Sequence, residues 1–186
     1  LNIKTYEGMK TMKCDMAGSA AIVGAVAAIA RLGLPVKVTA LLGIAENMPG
    51  SRAFRPGDVI QMRSGKTVEI LNTDAEGRIV LADLLDIARA IPADAIVDLA
   101  TLTGACMVAL GEETAGLFTR DEALAAELSA AAAQSGESFW RLPFGRDFRE
   151  KMKGGVSDLK NVGNRYGGAS SAAAFLGAFI EDRPWA

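Results

Sequence analysis

The apolar positions along this chain follow two rhythms, and the changes between them mark out its elements. From Asp15 to Leu32 an alanine-rich run carries Ile22, Val26 and Ile29 at helical spacing, with Gly33 placed to cap it and Pro35 to stop it. Val36 to Ala45 is almost continuously apolar, as a strand buried on both faces would be. Glu46 to Gly57, broken by Pro49, Gly50, Pro56 and Gly57, reads as a loop. Val59 to Met62 and Thr67 to Leu71 flank Arg63-Ser64-Gly65-Lys66 in the manner of a hairpin. A helix is predicted over 79–90, since Pro92 cannot continue it, and a strand over 95–100. Short strands are predicted at 107–110 and 116–119, and a helix at 122–134 opened by Asp121. Residues 140–143 read as a loop and 148–153 as a helical turn. Residues 158–168, rich in Asn and Gly, read as a mobile loop, and 170–180 as a final apolar helix. The first eleven residues show little periodicity and read as a loop. Strands alternating with helices of these lengths predict an α/β fold, a three-layer α/β/α domain on a mixed, mainly parallel central sheet.

The chemistry concentrates between the second hairpin strand and the helix that follows it. Asn72-Thr73-Asp74-Ala75-Glu76-Gly77-Arg78 puts two carboxylates and a guanidinium on one strand-to-helix turn, the kind of position that forms the ligand crevice of open α/β sheets. Asp74 and Glu76 are two apart, so in an extended segment they share a face, and Gly77 permits a tight or positive-φ conformation. Two such carboxylates suit a divalent cation, and the neighbouring Arg78 suits an anion. Taken without its neighbours, an Asp-x-Glu-x-Arg string is more often an ordinary polar loop.

The whole seven-residue string resembles the signature of the leucyl aminopeptidase (cytosol aminopeptidase) family, position for position. Met9-Lys10-Thr11-Met12-Lys13-Cys14-Asp15-Met16 resembles a second block of that family, and the separations from Lys4 to Asp15 and from Asp15 to Asp74 match without insertion. The resemblance extends over essentially the whole chain. It implies a dinuclear metallopeptidase that releases N-terminal residues from peptides, leucine and other bulky apolar ones preferentially. By that resemblance Asp15, Asp74 and Glu76 are metal ligands, where Asp15 alone would read as a helix N-cap. The ions implied are zinc or manganese, with magnesium or cobalt as alternatives, acting by polarising the peptide carbonyl and activating water. Lys4 is implied to stabilise the developing oxyanion. Arg78 is implied to hold a bicarbonate that serves as general base. Met12, Thr101 and Gly104 are implied to line the pocket for the substrate's first side chain, with Leu102 beside the bicarbonate. Peptide substrates, a homo-hexamer with inward-facing sites and a cytoplasmic location complete the implication.

The resemblance also implies an upstream strand bearing a lysine and a bridging aspartate, and a smaller N-terminal domain, which this chain does not include. Residues 1–186 are therefore expected to be a partial catalytic domain, silent or impaired as they stand. Two readings of another class compete: a silent family member serving as an assembly or DNA-binding subunit, and a different carboxylate-metal hydrolase such as a phosphoesterase.

Composition narrows these readings. There is no histidine, which removes Ser-His-Asp and Cys-His catalysis and every His-ligated zinc site. The formal net charge of -2 and the pI of about 5.3 give no electrostatic reason to expect nucleic acid. Cys14 and Cys106 form neither a Cys-x-x-Cys pair nor a disulfide framework, so a reducing compartment is expected. The apolar run 20–30 is too short to span a bilayer, so neither membrane association nor a secretory signal is expected.

Overall fold

The computed structural model describes residues 4–186. Its core forms where α7 (Gly168–Ile180) lies across α3 (Gly77–Ala90). Helix α7 is apolar on every side and all of it is buried except Gly168 and Ala178, as a core helix must be. Its Ala172, Ala173, Ala174 and Gly177 let neighbours come close, while the Phe175 and Phe179 rings, 5.3 Å apart and tilted by 52°, fill the space beyond. Helix α3 buries one stripe instead: Arg78, Ala82, Leu85 and Asp86, at spacings of four, three and one. Asp86 is tolerated there because two arginines reach it, Arg89 at 2.9 Å and Arg63 at 3.2 Å.

β1 (Val59–Gln61) and β2 (Thr67–Glu69) pair antiparallel with Ile60 opposite Val68. The hairpin turns at Gly65, whose φ of +86° a side chain would strain. β5 (Leu159–Lys160) adds to β2 in parallel, and α6 (Arg146–Lys151) packs on α7 just before it. A second ladder joins β3 (Ala115–Leu117) in parallel to β4 (Phe139–Arg141) across α5 (Glu122–Ser135), a strand-helix-strand unit. Asp121 caps α5 by accepting from the Leu124 amide at 2.9 Å. With two of three ladders parallel, the chain has the α/β class and mixed, mainly parallel pairing that its pattern predicts.

Several elements differ from expectation. Residues 36–45 form no ladder among the described residues: Val36, Val38 and Ile44 are exposed, and Gly43 lies where a side chain would strike Val80 and Leu84 of α3. Apolar content alone cannot make a strand when no neighbour presents its amides and carbonyls. Residues 95–100 pair with the last residues of the chain and with none of the named strands: Ile96 bridges to Trp185 in parallel, and the Asp98 amide donates to the Ala186 carbonyl at 2.9 Å. Residues 104–110 are a helix, α4, not a strand, because so short an apolar run fits either period. Residues 139–141 are a strand and not a loop, since β3 offers them a ladder. The opening loop contains a short helix, α1 (Tyr6–Met9), and a 3-10 turn at Met12–Cys14. The loop at 158–168 is in part fixed, for β5 runs into a fully buried Asn161.

Helix α2 (Ala17–Leu32) ends at Gly33 as predicted, with φ +62°. None of its residues is buried. By length and composition the stretch Tyr6–Leu32 would reach across a bilayer, more than the run 20–30 suggests. Its unbroken α-helix is the 16-residue α2, about 24 Å at 1.5 Å per residue, short of a hydrocarbon core of about 30 Å. An apolar helix face left open in this way is a surface for association. The 186-residue chain is accordingly expected to bind an apolar dye such as ANS while folded and to self-associate with rising concentration; a dye-silent monomer by light scattering would contradict that.

The Asp98 carboxylate accepts from Trp185 Nε1 at 2.6 Å. Burial raises its pKa from 3.8 to about 6, and the indole hydrogen bond only partly opposes this. The folded state therefore holds this proton more tightly than the unfolded chain, so stability falls as pH rises from about 4 to about 6 and then levels. Asp98→Asn, which keeps the acceptor, should stabilise the chain by about 1–3 kcal/mol at pH 7 and by little at pH 4. Equal effects at both pH values in urea titrations would refute this.

Candidate active site

The seven-residue turn leaves β2 through Ile70 and Leu71 and enters α3 at Gly77. Asn72 shapes it: its Oδ1 accepts from the Asp74 amide at 2.8 Å, a turn closed by the side chain. Thr73 and Ala75 face inward and Asp74 outward. Glu76 is half-buried, and its carbonyl receives the first helical amides, Ile79 at 2.9 Å and Val80 at 3.1 Å. Of the two conformations the sequence left open, Gly77 does not use a positive φ; it is helical, and a Cβ there would lie 3.3 Å from Leu102 Cδ1. Close approach of Leu102 is what that glycine allows.

Arg78 is the buried cation of the site, 7% exposed. One of its donors, Nη1, reaches the Asn161 carbonyl at 2.7 Å. Its Nε has no hydrogen-bond partner, and neither does the buried Oε2 of Glu76. Burial lowers the Arg78 pKa to about 10, and the charge of Glu76 partly restores it. The guanidinium thus remains charged at neutral pH.

Lys4 Nζ meets Asp74 Oδ2 at 2.5 Å, with both side chains about one-third exposed. Asp15 is not a helix N-cap; Met16 occupies that position without a side-chain bond. Instead Asp15 Oδ1 accepts from Thr101 Oγ1 at 2.8 Å. That contact depends on Gly18, where a Cβ would fall 1.9 Å from the Leu99 carbonyl oxygen, so α2 lies directly on residues 99–100. Met12 is half-buried in its 3-10 turn, and Gly104 opens α4 with free space at its Cβ position.

The structure thus pairs Lys4 with Asp74, Asp15 with Thr101 and Leu102 with Gly77, and puts Glu76 within electrostatic reach of Arg78. It does not draw Asp15, Asp74 and Glu76 into one cluster: among the described residues no three acidic or cysteine side chains converge enough to hold a metal ion. The donor chemistry nevertheless fits one. A buried carboxylate oxygen without a donor is an acceptor that a cation satisfies, and a lysine ammonium already places positive charge on Asp74. The unpartnered Arg78 Nε is correspondingly a donor suited to an anion. Sequence reasoning missed Asn161 and Asn47, whose Nδ2 donates to the Thr73 carbonyl at 2.9 Å. Each lies in a polar, glycine-containing stretch, and the full burial of Asn161 at the end of β5 sets it apart.

The catalytic-domain profile of the cytosol aminopeptidase family matches residues 1–186. The probable cytosol aminopeptidases of Roseiflexus castenholzii and Rhodopirellula baltica are each 54% identical over all 186 residues. The chain spans 38% and 37% of their respective lengths. Among solved structures, a cytosol aminopeptidase from Coxiella burnetii superposes with a TM-score of 0.94 at 46% identity, covering 100% of this chain and 41% of that one. The bottromycin maturation enzyme BotP in complex with Mn superposes with a TM-score of 0.93 at 44% identity, covering 98% and 41%. Fold and signature turn together define an α/β peptidase catalytic domain. The chain belongs to the cytosol aminopeptidase family.

Two glycines of α2 provide a test of how the Asp15 side of the site is held. Gly18→Ala should destabilise by about 1–3 kcal/mol, the range for overpacking. Gly24→Ala, with nothing within 4 Å of the new methyl, should stabilise by roughly 0.5–1 kcal/mol through helix propensity. Urea denaturation showing both substitutions stabilising would mean that α2 is not seated on residues 99–100.

Proposed function

We propose that this chain carries the catalytic centre of a metal-dependent aminopeptidase that releases N-terminal residues, leucine and other bulky apolar ones by preference, from peptides. The observation that carries the reading is the pair of buried, unpartnered atoms on the signature turn, Glu76 Oε2 and Arg78 Nε. It is supported by 54% identity to probable cytosol aminopeptidases. Because the chain spans 38% of such a relative, the activity is that of the whole protein.

Asp15, Asp74 and Glu76, with the upstream lysine and aspartate that the resemblance implies, would hold two divalent cations, manganese or zinc, which when bound supply Lewis-acid polarisation of the peptide carbonyl and a more acidic water. The residues themselves bind and orient. Lys4, which meets Asp74, would donate to the carbonyl oxygen as negative charge develops there. Arg78 presents a planar donor edge that would hold bicarbonate, whose chemistry when bound is that of a general base. Its position is fixed by burial, so little reorganisation is needed when an anion arrives. Met12, Thr101 and Gly104 would receive the substrate's first side chain, and Leu102, packed over Gly77, would keep water from the anion. A homo-hexamer in the cytoplasm is the assembly and location we assign.

In the protein that carries this chain, Asp74→Asn or Glu76→Gln should abolish hydrolysis of leucine p-nitroanilide, and chelation should do the same reversibly. Removing one charged ligand weakens the whole metal site. Full turnover in either folded variant, or cleavage of p-nitrophenyl phosphate in preference to the anilide, would refute the assignment.

A further inference from the structure

One fully buried polar side chain ties together the parts of this site, and no role has yet been given to it. Asn161 is 0% exposed. Its main chain donates from its amide to the Glu69 carbonyl at 2.9 Å, and its carbonyl accepts from Arg78 Nη1 at 2.7 Å. Its side chain turns to the signature stretch. Oδ1 accepts from the Leu71 amide at 2.8 Å and the Asn72 amide at 3.2 Å, and Nδ2 donates to the Asn72 carbonyl at 2.6 Å.

The β2–β5 ladder ends at the Glu69–Lys160 pair. One residue later the carboxamide of Asn161 takes over, offering Asn72 one acceptor and one donor as a neighbouring strand would. The chain of bonds continues to the ligands: Asn72 Oδ1 holds the Asp74 amide at 2.8 Å. Asp74 is thus one residue removed from Asn161, and Arg78 touches it directly. Both side-chain lone pairs are used, so only a group with an acceptor and a donor at this reach can serve. Aspartate would set a carboxylate oxygen against the Asn72 carbonyl, and leucine would remove all three of these side-chain bonds.

We propose that Asn161 is a positioning residue for the metal and anion centre, fixing the Asp74 turn and the Arg78 guanidinium in one register. This rests on reading the turn as a metal site. The test uses the protein that carries this chain, with Mn2+ alone as the probe, and compares Asn161→Asp with Phe179→Leu, a substitution in the same core at a ring set against Phe175 and Lys66.

At matched loss of thermal stability, Asn161→Asp should weaken Mn2+ binding at least tenfold by calorimetry. It should also speed hydrogen exchange at Leu71, Asn72 and Asp74 at least tenfold, while the amides of α5 keep their protection. Phe179→Leu should change neither. Equal weakening in both variants would mean that Asn161 acts through general stability, and normal Mn2+ binding in Asn161→Asp would overturn the proposal outright. Should Asn161→Asp not fold, Asn72→Ala removes the next link; it should free the Asp74 amide and weaken Mn2+, and unchanged values for both would overturn the proposal. If the unsubstituted protein binds no Mn2+, the metal reading fails instead, and exchange at the same three amides decides whether Asn161 positions the turn: protection unchanged by Asn161→Asp refutes it.

Discussion

A guanidinium taken almost wholly out of water has to be held before the segments around it can be arranged. Desolvation of Arg78 is opposed by a nearby carboxylate, Glu76, and by a main-chain carbonyl, that of Asn161, and each sets a condition on the fold. The carboxylate condition places Glu76 at the threshold of α3, two residues before the arginine. The carbonyl condition requires β5 to deliver residue 161 beside β2, although the two are far apart in sequence. Helix α7 then has to close over both, which its small residues allow.

Elements with a long period or a strong boundary signal were legible in the sequence. Helices α2, α3, α5 and α7 emerged within two residues of their expected limits, because Gly33, Pro92 and Asp121 mark their ends by local chemistry. The hairpin emerged for the same reason. Segments 36–45 and 95–100 did not become ladders, since their composition describes an environment and says nothing about which backbone supplies it. Helix α4 and strand β4 were misassigned because a run of four or seven residues carries too little periodicity to decide.

The site was legible in a different way. Asp74, Glu76 and Arg78 could be singled out because the whole seven-residue string resembles a family signature; by themselves they would read as a polar loop on a strand-to-helix turn. The closeness of Lys4 to Asp74 and of Asp15 to Thr101 depends on folding across wide separations, and no local pattern encodes it. Asn161 was hidden by its setting: among Gly163, Asn164, Gly167 and Gly168 it has the composition of a flexible loop, while its burial follows from a ladder whose other strand lies far upstream.

Helix α7 has a consequence for how this protein can vary. A helix with nearly every residue enclosed has no free side on which to absorb change. An added methyl at Gly177 would come within 2.9 Å of the Phe144 ring and 3.0 Å of Arg120, and Ala172 and Ala174 are each 1% exposed. Helix α5 is the opposite, with only Leu124, Ala125 and Ala132 enclosed. Sequence drift is therefore steered toward one helix and barred from the other, and the spacing between the signature turn and its buried support is kept by the helix least able to change.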